Sequence, residues 1–106
     1  MPAYVSLVNW TEQGIKTFPD TIRRAEEFSQ FVRGSGGRVR ELLWTVGDYD
    51  VVHISEFSDD EKAFAAFLRL GSAGNVRTRT LRAFNVKEME AIIHLTGVRM
   101  EHGSWG

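Results

Sequence analysis

Polar and apolar residues alternate with a period of two along Tyr4–Trp10, Arg38–Val46, Asp50–Phe57 and Val76–Phe84, which predicts strands there. Between and after them the period lengthens to that of a helix. Thr11 caps a short turn over Glu12–Thr17, and Pro19-Asp20 opens a helix from Thr21 to about Arg33. Ile22, Ala25, Phe28, Phe31 and Val32 form its apolar stripe, with Arg23, Arg24, Glu26, Glu27 and Gln30 opposite. Gly34-Ser35-Gly36-Gly37 ends it, because glycine accepts the left-handed conformation of a helix stop. Ser58 with Glu61 reads as a capping box for a helix buried through Ala63, Phe64, Ala66, Phe67, Leu68 and Leu70. Gly71 to Asn75 stops that helix. A second capping box, Asn85 with Glu88, starts a last helix that runs to about Leu95 and closes at Gly97. The order β-α-β-β-α-β-α predicts an α+β, ferredoxin-like sandwich with a C-terminal helix, over residues 1–97. Residues 98–106 carry no strong pattern and read as a tail, ordered by a partner through Trp105.

Helices in this architecture cover one face of the sheet, so the other should be polar. These strands are apolar on both parities: Tyr4, Val8 and Trp10 against Val5 and Leu7; Val39 and Leu43 against Leu42, Trp44 and Val46; Val52 and Ile54 against Val51 and Phe57. A second copy packed on the sheet accounts for this, so the expected partner is the chain itself, as a homodimer or higher homo-oligomer.

With 106 residues the chain has the size of one domain, and a net charge of -1 offers no general attraction to nucleic acid or to an anionic membrane. No apolar run is long enough to span a bilayer. The absence of cysteine removes disulfides and thiolate chemistry and is compatible with a cytoplasmic setting. RNA-recognition motifs share the β-α-β-β-α-β order, yet Gly47-Asp48-Tyr49-Asp50-Val51-Val52-His53 puts two aspartates where such motifs need basic and aromatic residues. No nucleic acid is expected.

Three ordered blocks, Tyr4-Val5-Ser6-Leu7 with Trp10-Thr11-Glu12-Gln13-Gly14-Ile15, then Gly47-Asp48-Tyr49-Asp50, then Gly74-Asn75-Val76 through Phe84, resemble the GYD domain family. The resemblance runs from Tyr4 to about Ile93. It implies a ferredoxin-like fold related to the dimeric α/β barrels and implies no established reaction. Ser58 stands where the family more often has proline.

Candidate chemistry is sparse. Tyr49 and Asp50 offer a phenol and a carboxylate at a pocket mouth, or an aspartate that satisfies turn amides beside a packed ring. Thr78, Thr80 and Arg82 share one strand face and could orient an anion or carbonyl, or serve only as cross-strand partners. His53, in mid-strand, has the reach of a general base or of the haem ligand found in some barrel relatives, against the simpler role of a packed side chain. His94 and His102 lie far along the chain, so no metal-ligand spacing arises and no metal or cofactor is expected. Gly71–Asn75 follows a helix, whereas a phosphate cradle precedes one. Two functions remain open. One is a small-molecule-binding homo-oligomer, with or without cofactor-independent catalysis, using Trp10, Tyr49, Asp50, His53, Thr78, Thr80 and Arg82. The other is a non-catalytic oligomerisation or regulatory module.

Overall fold

The computed structural model describes residues 1–99. The strands are β1 (Ala3–Trp10), β2 (Arg38–Trp44), β3 (Val51–Glu56) and β4 (Val76–Ala83), joined by the helices α1 (Glu12–Lys16), α2 (Thr21–Gly34), α3 (Asp60–Ser72) and α4 (Val86–Thr96). The strands form one antiparallel sheet in the order β2-β3-β1-β4, the ferredoxin-like arrangement. Trp105 and most of the expected tail lie outside the described residues.

Register decides which parity faces the helices. Tyr4, Ser6 and Val8 of β1 pair with Ser55, His53 and Val51 of β3 and with Arg82, Thr80 and Thr78 of β4. These residues share the face under α2 and α3. The core there is Tyr4, Phe28, Val32, Phe57, Ala63 and Ala66, with Phe31, Val39, Phe67 and Leu70 at its margin. Tyr4 and Phe57 meet edge to face at 5.8 Å, and Phe67 completes the aromatic cluster.

Several local expectations shift by a residue or a face. The register of β2 against β3 jumps between Val39 and Glu41, a bulge at Arg40 that brings Val39 onto the helix-facing side with Leu42 and Trp44. Strict alternation had grouped Val39 with Glu41 and Leu43. Asp59, rather than Ser58, caps α3, its side chain accepting from the Lys62 amide. On α2, Ile22 points outward and is 60% exposed, while Arg24 is half-buried. The capping box at Asn85 and Glu88 and the left-handed stop at Gly97 (φ 72°) are both present.

Candidate functional site: a cleft over a buried histidine

All three sequence blocks meet at one end of the sheet, where β1 leaves it. The Thr11 amide donates to Asn75 O at 3.0 Å and the Thr11 hydroxyl to Gly74 O at 2.6 Å. Gln13 Nε2 donates to Ala73 O and Asn75 Oδ1. Gly14 lies so close to this loop that a Cβ would stand 1.9 Å from Asn75 O, so the position requires glycine for space. From the other side the Trp10 amide donates to Asp50 Oδ2 at 2.9 Å, the Asp50 amide donates to Val8 O, and Asn9 Nδ2 donates to Asp48 O. The blocks therefore form a hydrogen-bonded corner.

Above that corner, between α2 and α3, opens a cleft of about 440 Å³. Its walls are mostly apolar: Val8, Trp10, Phe28, Leu42, Trp44, Val51, Ala66 and Leu70. Trp44 is held by a bond from its Nε1 to Thr21 Oγ1 at 3.0 Å. His53 lies on the floor. It is 2% exposed, with its ring 5.0 Å from Phe28 and 6.2 Å from Phe67. Neither His53 ring nitrogen has a hydrogen-bond partner among the described residues. Burial holds the imidazole down at about 4, so the ring is neutral at physiological pH, with one N–H donor and one bare acceptor. Arg24 borders the same space. Its Nη2 donates to Thr17 O and Oγ1, while its Nη1 is buried and has no partner among the described residues. Buried polar groups are usually satisfied; of the residues with unpaired buried polar atoms among those described, His53 and Arg24 line this cleft and Ser55 does not.

A second, open groove of about 470 Å³ lies between α3 and β4, lined by Tyr4, Asp60, Phe64, Phe67, Thr78, Thr80 and Arg82. Tyr4 donates its hydroxyl to Asp60 Oδ1, and burial, reinforced by that acceptor, pushes the phenol up to about 12. Arg82 lies 4.4 Å over Phe84 and 5.6 Å over Tyr4. Thr80 Oγ1 is 3.0 Å from Ser6 Oγ.

The expected site residues are thus divided. Trp10 and His53 share the cleft; Thr78, Thr80 and Arg82 line the groove; Asp50 and Tyr49 line neither. Asp50 spends its carboxylate on the Trp10 amide, and the Tyr49 carbonyl accepts from Thr45 Oγ1 at 2.5 Å. Arg24, Phe28, Leu42 and Trp44 were missed. Arg24 and Phe28 are one turn apart on α2, a spacing that places them on a common side, but the charge of Arg24 had assigned it to the polar face.

The GYD domain family matches residues 4–93, nearly the whole described chain. The chain is a member of that family. A relative in Thermus thermophilus, a glutamine synthetase and cystathionine beta-lyase binding protein, is 34% identical over 92 residues, spanning 86% of this chain and 97% of its own. The crystal structure of TTHA0845, also from Thermus thermophilus, superposes with a TM-score of 0.53 at 22% identity, covering 81% of this GYD chain and 96% of the other. That likeness concerns the fold. Among the described residues of this GYD domain no helix is long and apolar enough to cross a membrane, and no three His, Asp or Glu residues cluster as a metal site would require.

Proposed function

We propose that this GYD domain is a homo-oligomeric binding protein whose cleft over His53 takes a small ligand with an apolar or aromatic body. The observation that carries this reading is His53 itself, almost fully buried at the floor of a cleft with both ring nitrogens unpaired. Leaving a buried polar group unpaired costs about 1–3 kcal/mol, a cost that a bound hydroxyl, carbonyl or carboxyl would remove. The volume lies within the range of small-molecule pockets, and the lining joins apolar and aromatic walls to polar groups that include Arg24, Glu27 and Arg69. The unpaired Arg24 Nη1 favours an acid, such as an aromatic carboxylate, over a neutral compound. His53 could also move a proton, although burial alone sets its imidazole and no charged group among the described residues acts on it as the other half of an acid-base pair.

Native mass spectrometry of protein purified without added ligand, followed by titration with phenylacetate and with 2-phenylethanol under histidine-ring NMR, tests the reading. A co-purifying small molecule, or movement of the His53 ring signals by phenylacetate, supports it. An empty cleft with unmoved ring signals refutes it.

A second reading, a regulatory module that docks on metabolic enzymes, is favoured by the relative that binds glutamine synthetase and cystathionine beta-lyase. Biolayer interferometry against purified glutamine synthetase distinguishes the two: saturable binding unaffected by His53→Leu supports docking without a ligand.

A further inference from the structure

Helix α4 leaves the body of the molecule. The Cα radius of gyration is 16.5 Å, against about 13 Å for a compact chain of this length. The longest dimension is 53 Å and the thinnest 18 Å, the thickness of one sheet and one helix layer, so α4 does not form a third layer over its own sheet. No α4 residue is fully buried. Yet the helix is amphipathic: Val86, Met89, Ile92, Ile93 and Thr96 fall on one stripe, and Val86 is 77% exposed and Met89 48%. Eleven residues are too few for a helix to hold itself together in water. Something must cover the stripe.

The sheet has the complementary deficiency. On the face away from α2 and α3, register aligns Leu43, Val52 and Leu7 with Arg79 in one row, and Glu41 with Ile54, Val5 and Leu81 in the next. Leu43 is 57% exposed and Leu81 55%. Arg79 flanks this apolar patch on β4 and forms no ion pair among the described residues, whereas Arg77 turns its Nη1 to Gly71 O at 3.1 Å and Val76 O at 3.0 Å. On α4 the apolar stripe is edged by Glu88 on one side and Glu90 on the other. Each chain thus carries an apolar stripe with acidic margins and an apolar patch with Arg79 on its β4 edge and Glu41 on its β2 edge, surfaces that match in apolar character and, at the Arg79 edge, in charge.

We propose that α4 is an exchange arm, the α4 of one copy lying across the outer sheet face of a second copy. Two-fold symmetry repeats the contact, so both stripes and both patches are covered and the assembly closes as a dimer. This rests on the homo-oligomeric reading above and specifies its contact: helix on sheet, where the sequence pattern had suggested sheet on sheet.

The chain contains no cysteine, so engineered thiols report unambiguously. Single variants Met89→Cys, at mid-arm, and Val52→Cys, at mid-face, are prepared separately, mixed and oxidised at neutral pH. Unmodified protein is sized by light scattering alongside. The expected results are twice the 12.0 kDa chain mass, a disulfide between the two variants in the mixture, and at least a tenfold weaker dimer for full-length Met89→Lys. A dimer in which Val52→Cys links to itself and ignores Met89→Cys overturns the arm while sparing the oligomer. Unmodified protein that sizes as a monomer at 100 μM overturns both. Because Met89 is about half exposed to solvent within one chain, a circular dichroism melt of Met89→Lys identifies any loss due to misfolding, and the thiol mixture then decides alone.

Discussion

At the scale of single residues, His53 is the position where stability and binding pull apart. Its imidazole is held at about 4 by burial, below the ordinary 6.5 of an unfolded chain. Between those values the unfolded chain takes up a proton that the folded chain refuses. Stability therefore stays level above about pH 6.5 and falls as the pH drops toward 4, by up to about 3 kcal/mol from this one group. Carboxylates also titrate in the lower part of that window, so the measurement is a comparison. Urea unfolding from pH 7 to pH 4.5 should lose less stability in His53→Phe than in the unmodified protein. At pH 7 the same variant should be as stable or more so, because phenylalanine suits the ring cluster with Phe28 and Phe67 and removes the unpaired nitrogens. A histidine kept for packing alone gains nothing from those nitrogens; a variant that is less stable at pH 7 would point to a partner for them in the folded protein.

Elements show where pattern reading works and where it stops. Strand and helix order is legible in the sequence because alternation, caps and glycine stops are local signals, and the capping box at Asn85 and the stop at Gly97 appear where those residues stand. The bulge at Arg40 is not legible, since nothing in Arg38-Val39-Arg40-Glu41 marks an extra residue, and one extra residue turns Val39 to the other face. The cleft is also hidden, because its walls come from β1, β2, β3, α2 and α3 and no single stretch contains them. The corner formed by the sequence blocks explains why Asp50 draws attention without reaching the cleft: its carboxylate joins β3 to the end of β1. The rigidity of this corner has a measurable cost at Gly14. Gly14→Ala forces the Asn75 backbone away and should destabilise the domain by about 1–3 kcal/mol in chemical denaturation. Amide exchange at Thr11, which donates to Asn75 O, should accelerate together with it; unchanged exchange would place the strain elsewhere.

For the whole molecule, a two-layer sandwich with a protruding helix is an incomplete hydrophobic structure. A compact monomer would fold the arm over a neighbouring layer, whereas this chain leaves α4 and the outer sheet face exposed together. If the pair is completed only by a second copy, folding and association are a single equilibrium, and stability depends on protein concentration. A tenfold dilution then lowers the free energy of the dimer by about 1.4 kcal/mol at 25 °C, one factor of ten in concentration. For a dimer of roughly 200 residues that corresponds to a drop in Tm on the order of 3–5 °C. Differential scanning fluorimetry at 5 and 50 μM, followed through the intrinsic tryptophan signal, measures it directly. Met89→Lys, with its weaker dimer, should lower the Tm at both concentrations while the shift on dilution persists. A Tm that stays constant from 5 to 50 μM in the unmodified protein would mean that each copy is stable alone, and that the exposed stripe of α4 serves a partner other than this chain.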